Sequence, residues 1–178
     1  MIEMKRKRFH ILGLPHTQTV DWWGPCAYTQ KVLKLCSMLH NLGHEVFHYG
    51  TEGSVVECTK HFDVMSLKKH KAKFGDDWKQ NHKFNILDDY HNEWNVNAAK
   101  KLSSNLKSKD FILCMWGLGH KGVLDNIPNV QDKALIVEPG IGYGLESMIP
   151  RDEYKTYRVY ESYTWYSYCM GREEPLDR

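Results

Sequence analysis

Apolar residues in this chain fall into short unbroken runs, separated by longer stretches where they recur at helical spacing. Phe9-His-Ile-Leu-Gly-Leu14, between a basic segment and Pro15, predicts a buried first strand. Residues 15–25 carry Pro, Gly, Thr and Asp and predict a loop. From Cys26 to Leu42, residues Tyr28, Val32, Leu35, Leu39 and Leu42 recur at helical spacing, and Gly43 follows as a C-terminal cap. Glu45-Val-Phe-His-Tyr49 predicts a second strand closed by Gly50. Strand, loop, helix and strand in that order make a βαβ unit whose two strands run parallel.

Val55–Cys58 and His61–Met65 read as strand pieces, 66–75 as a polar helix and 76–88 as loop. Asp88 or Asp89 caps a helix expected to reach about Lys107, with Trp94, Ala98 and Leu102 on one face. Two strong buried strands follow: Asp110–Trp116, ended by Gly117, and Lys133–Glu138, ended by Pro139-Gly140. Tyr157–Tyr160 reads as a further strand leading into an aromatic helix over Ser162–Met170. This alternation predicts an α/β, Rossmann-like fold, with a mostly parallel sheet flanked by helices in one domain spanning 1–178. The strands near 9–14, 45–49, 110–115 and 133–138 should be neighbours. Such sheets bind ligands outside the carboxyl ends of their strands. Three loops should therefore share one edge: Pro15-His16-Thr17, Trp116–His120 and Glu138–Gly144.

Composition narrows the function classes. A net charge of +2 does not indicate nucleic acid or a membrane surface as partner. The runs Lys5–Arg8 and Lys68, Lys69, Lys71 and Lys73 read as solvated faces. Six Trp and ten Tyr place some rings near the surface, either lining a cleft or rimming a bulky core. Five cysteines with no CxxC spacing argue for reduced thiols, against a disulfide framework or zinc site. The apolar run at the N-terminus stops at Pro15, so neither a signal peptide nor a membrane span is expected, and the expected compartment is cytoplasmic.

The candidate chemistry lies in the three loops. Gly140, Gly142 and Gly144 permit close backbone approach to a ligand, or serve turn geometry alone. They do not spell a dinucleotide fingerprint, and no phosphate-loop motif is present. His16 and His120 follow strands on the shared edge and are candidates for hydrogen-bonding or base roles. Glu138 ends a buried strand, where a carboxylate needs a partner; it either orients an acceptor hydroxyl or caps neighbouring backbone. The pairs Asp76-Asp77 and Asp88-Asp89 read as caps, since no DxD occurs. No histidine or cysteine spacing marks a metal site. The tyrosine-rich C-terminal run reads as a core or interface stripe more than a stacking platform.

Phe9–Thr17, Cys26–Lys34 and Leu42-Gly-His-Glu-Val46 resemble the start of a GT-B glycosyltransferase. Trp116-Gly-Leu-Gly-His-Lys121, Val137-Glu-Pro-Gly-Ile-Gly-Tyr143 and Tyr160-Glu-Ser-Tyr163 are similar to later segments of uncharacterised bacterial and phage members. The resemblance spans residues 9 to about 171; its LPHT and VEPGIGY segments are the more specific. It implies the N-terminal, acceptor-side domain of an enzyme that moves sugar from a nucleotide-sugar donor to a hydroxyl-bearing acceptor, usually without a metal and with no further cofactor. It places His16 and Thr17 on the cleft floor, Gly119, His120 and Lys121 beside acceptor or donor phosphates, and Gly140, Gly142 and Tyr143 on the opposite wall. The donor half expected of such enzymes would lie in a second domain or a partner chain. The alternative is a non-catalytic Rossmann-like module that binds a nucleotide or a partner protein.

Overall fold

A computed structural model describes residues 5–23, 26–75 and 85–172. Its centre is a six-stranded sheet in the order β3-β2-β1-β4-β5-β6, parallel at every pairing. The strands are β1 (Arg8–Leu12), β2 (Glu45–Thr51), β3 (Lys60–Met65), β4 (Asp110–Leu113), β5 (Ala134–Ile141) and β6 (Thr156–Tyr160). The helices are α1 (Ala27–Asn41), α2 (Leu67–Phe74), α3 (Asp89–Ser103), α4 (Lys121–Asp125), α5 (Val130–Lys133) and α6 (Tyr163–Arg172). This is the Rossmann-like α/β fold that the pattern of elements predicts. The four strands expected to be neighbours are contiguous, as β2-β1-β4-β5.

Alternation along the strands divides the core between two faces. Ile11, Val46, Leu113 and Met115 pack against Val32 and Cys36 of α1. Leu12, Tyr49, Ile112, Cys114 and Ile136 face the other way, onto Trp94, Ala98 and Leu102 of α3 and Val123 and Leu124 of α4. A smaller cluster of Val20, Trp23 and Phe74 lies over the loop after β1, where every residue from Gly13 to Val20 is buried. Order reverses between β1 and β4, the position where doubly wound sheets open a crevice at their carboxyl edge.

Several boundaries depart from the sequence reading. Val55–Cys58 is irregular chain running into a bend, because the segment follows Gly53 at φ +77° and is tied to the β1 loop by Val55 N–H on the Thr19 carbonyl. Asp88 caps α3 as expected, its side chain accepting from His91 N–H, but the helix stops at Ser103. Strand β4 ends at Leu113; the backbone turns at Cys114–Gly117 into a 3-10 turn over Gly117–His120 that leads directly into α4. Strand β5 runs through Pro139 and Gly140. Its pairing with β4 stops at Val137, and a register shift at Pro139/Ile141 with Gly140 at φ +66° carries it on beside β6 alone. The Asp76-Asp77 pair, residues 24–25 and the 76–84 part of the expected loop lie outside the described residues. No described helix is long and apolar enough to cross a membrane.

Candidate functional site

Two of the predicted loops emerge at the carboxyl edge after β1 and β4; of the third, Glu138–Ile141 is still strand β5 and only Gly142–Gly144 is loop. The first is closed on itself. Gly13 has no room for a Cβ, which would sit 2.9 Å from both His48 Nε2 and the Tyr49 carbonyl. Thr17 Oγ1 bonds Thr29 Oγ1 of α1 at 2.8 Å, and the Thr17 carbonyl accepts from Thr51 Oγ1 at 3.1 Å. Gln18 donates to the Glu52 carbonyl. Thr17 is thus a tie between the loop, α1 and β2, buried to 1% exposure. The glycine serves packing, and the described part of the first βα turn, Gly13–Trp23, is folded onto α1 and β2.

His120 lies at the switch point between β1 and β4. Trp116 N–H donates to its Nδ1 at 3.2 Å, and its Nε2–H donates to the Gly13 carbonyl at 2.9 Å. The two bonds fix the neutral tautomer and clamp the β4 loop to the end of β1. Trp94 stacks on the ring at 5.7 Å and 23°. Burial, with the nearby His91 and His16 rings, pushes its pKa down to about 3 against the raising effect of the Gly13 bond. At neutral pH His120 is an uncharged structural bridge.

Above it stands Trp116, half-buried, with the ring of His16 at 5.0 Å and that of His91 at 5.4 Å. Gly119 permits this: a Cβ there would come within 2.5 Å of the indole. The Gly119 carbonyl accepts from His91 Nε2–H at 2.7 Å. Burial also lowers the pKa of His91, so both imidazoles beside Trp116 whose bonds define them are neutral. Lys121, the first residue of α4, is held by Glu153 at 2.7 Å and Asp125 at 3.0 Å, and the Glu153 bond raises its pKa. Together with His91, Asn95, Gly119 and Leu118 it borders an open groove of about 380 Å³ between α3 and α4.

Glu138 is fully buried and its oxygens are committed. Oε1 accepts from Ile149 N–H at 3.0 Å; Oε2 accepts from Thr156 Oγ1 at 3.1 Å and Arg158 Nε at 3.2 Å. Of the two roles open to it, the geometry assigns the cap: it pins the segment after β5 to β6. Gly117, at φ +45°, lies against this carboxylate; a Cβ there would be 2.3 Å from the Ser147 carbonyl and 2.8 Å from Tyr143 Oη. The β4 and β5 loops therefore touch, and Trp116 and Tyr143 belong to one surface.

Gly140 and Gly142 shape that surface from the other side. The Gly140 carbonyl accepts from Lys31 Nζ at 3.0 Å, and Lys31 pairs with Glu161 just beyond β6. A Cβ on Gly142 would collide with the Glu161 carboxylate, at 2.2 Å. The Tyr143 ring lies 6.2 Å from that of Tyr28, over which Lys31 Nζ sits at 4.6 Å. The Tyr143 hydroxyl is buried with no hydrogen-bond partner among the described residues, and burial raises its pKa. Three half-buried rings thus stand at this edge: Tyr143 beside Tyr28, and Trp116 one residue before the Gly117 that touches Tyr143.

His16, His120 and the Gly140–Tyr143 loop thus share one edge, as their positions after parallel strands require. Sequence reasoning passed over Trp116, Tyr28, Lys31, His91 and Glu161. The signal for four of them was in hand, since Trp116, Tyr28, Lys31 and Glu161 lie inside the segments that carry the family resemblance. Among the described residues no three of His, Cys, Asp and Glu converge on a point that would hold a metal ion. Fold and edge geometry define a Rossmann-like α/β protein with an aromatic, imidazole-backed carboxyl edge. No protein-family model, curated protein or solved structure matches the chain.

Proposed function

We propose that the chain is the acceptor-side domain of a glycosyltransferase, holding a hydroxyl-bearing acceptor while a nucleotide-sugar donor is held by a second domain or a partner chain. The half-buried rings at the carboxyl edge, Tyr143 beside Tyr28 with Trp116 next in the chain to Gly117, carry this reading. Half-buried Trp and Tyr rings offer a flat apolar face, which suits the C–H face of a sugar. The charges behind them are paired, Lys31 with Glu161 and Glu138 with Arg158, and His91 and His120 are neutral. Such a surface positions a neutral acceptor and leaves the stabilisation of a departing diphosphate to the donor side. The tied-down loop after β1 supports the same division, because a nucleotide in a doubly wound fold rests its phosphates on that turn.

The strand order favours the second reading, a nucleotide-binding module, because 3-2-1-4-5-6 is the order of dinucleotide-binding sheets. Saturation-transfer NMR separates the two. The acceptor reading predicts binding of neutral saccharides, unaffected by excess uridine or adenosine diphosphate and weakened several-fold by Tyr28→Ala. Tight diphosphate binding with no saccharide signal would select the nucleotide module instead. Transfer itself is assayed with the domain or chain that holds the sugar nucleotide.

A further inference from the structure

Beyond the rings of the carboxyl edge, the start of α6 forms a second aromatic hollow. Tyr160, Glu161, Ser162, Tyr163 and Tyr166 line a pocket of about 380 Å³, within the range of small-ligand sites. We infer that this pocket is a second saccharide subsite, so that the acceptor is a sugar chain and not a single sugar or small alcohol; the inference rests on the acceptor reading above.

Three observations carry it. The first is exposure. Tyr163 is 89% exposed and Tyr166 46%, while Cys169 is the buried residue of α6. Clustered aromatic surface left in water is retained where something covers it. The rings are also arranged, not scattered: Tyr160 and Tyr166 meet edge to face at 5.5 Å and 77°.

The second is continuity. Glu161 fills the space left by the missing side chain of Gly142, and Lys31 ties Glu161 to the Gly140 carbonyl. The pocket therefore adjoins the loop that presents Tyr143, and one ligand can span both places.

The third is charge. Among the described residues that line the pocket Glu161 is the one ionised group, and Lys31 neutralises it. A phosphate would meet a carboxylate, and an organic cation would have to displace Lys31. A neutral pyranose meets neither obstacle: its C–H face stacks on tyrosine, and its hydroxyls donate to Glu161. Ser162 Oγ accepts from Trp165 N–H at 3.3 Å, which leaves its own proton to donate.

The test is calorimetric titration of the full chain with malto-, cello- and chito-oligosaccharides of one to six units. In a series that binds, affinity should rise about tenfold from the shortest to the longest ligand, the contribution expected of two aromatic contacts. Tyr163→Ala/Tyr166→Ala should abolish that rise and leave the shortest ligand's affinity unchanged, while Tyr163→Phe/Tyr166→Phe should keep it. Tyr163 is exposed and Tyr166 gives up one edge contact with Tyr160, so the melting transition should fall by no more than a few degrees. Affinity that is flat with length, or a rise that survives the double alanine change, overturns the subsite and leaves the acceptor reading standing. Binding of no saccharide at any length overturns the acceptor reading, and the subsite with it. Binding of choline that is lost in Tyr163→Ala overturns the saccharide assignment in favour of an organic-cation site.

Discussion

A His120→Ala chain loses both ring bonds at once, leaving the Gly13 carbonyl and the Trp116 N–H without their partner at the switch point. Each orphaned buried group costs about 1–3 kcal/mol. The emptied space beside Trp94 adds to this, so the total is about 3–5 kcal/mol, a large part of a domain's stability. His120→Gln, which can still reach the Gly13 carbonyl, should cost about 1–2 kcal/mol. The sign of the pH dependence is fixed by burial. The folded-state pKa lies at about 3 against an ordinary 6.5, so between those values the unfolded chain binds a proton that the folded chain excludes. Stability is therefore complete above about pH 7 and falls as pH drops through this window, by about 1.4 kcal/mol per pH unit for this one ring. Urea unfolding of the parent and His120→Gln chains, at about pH 7.5 and about pH 5.5, measures both effects. The deficit of the variant should narrow by about 1 kcal/mol at the lower pH. An equal deficit at both pH values, or a His120→Ala chain as stable as its parent, would refute the assignment of His120 as a buried neutral bridge.

Glu138→Gln removes the negative charge opposite Arg158 in a buried pair and should cost about 3–5 kcal/mol by urea unfolding; a change below about 1 kcal/mol would mean that the pin is not structural. Gly119→Ala drives a methyl into the Trp116 ring and should cost about 1–3 kcal/mol, with a shift of tryptophan fluorescence emission. Gly142→Ala meets only the end of the Glu161 side chain, so its melting temperature should hold while saccharide affinity drops several-fold as Glu161 is pushed aside. Equal affinity in that variant would detach Glu161 from the site.

The topology was legible because β1, β4 and β5 are apolar on both faces, as strands covered by helices on both sides must be. Placement of His16, His120 and the glycine loop on one edge followed from that parallel order alone. What each side chain does there was not legible. That His120 bonds Gly13, 107 residues away, or that Arg158 meets Glu138 across two strands, depends on register, which no local period encodes. Pro139 was read as a strand end, whereas β5 continues past it because the pairing with β4 has already stopped. The tyrosines of α6 read as a core or interface stripe more than a stacking platform; Tyr163, Tyr166 and Tyr168 stand exposed, which removes the core role, since α6 contributes little beyond Cys169 to the interior.

The central claim is that a neutral saccharide acceptor rests on the rings at the carboxyl edge, between the β4 and β5 loops and α1. Amide and indole N–H spectra of the 15N-labelled chain, titrated first with a saccharide that binds and then with uridine diphosphate, test it most directly. The account predicts that the saccharide moves the signals of Tyr28, Trp116 and Tyr143 and their neighbours, and that the diphosphate moves none of them. Saccharide-silent spectra, with diphosphate shifts centred on Gly13–Val20 and the first turn of α1, would contradict it.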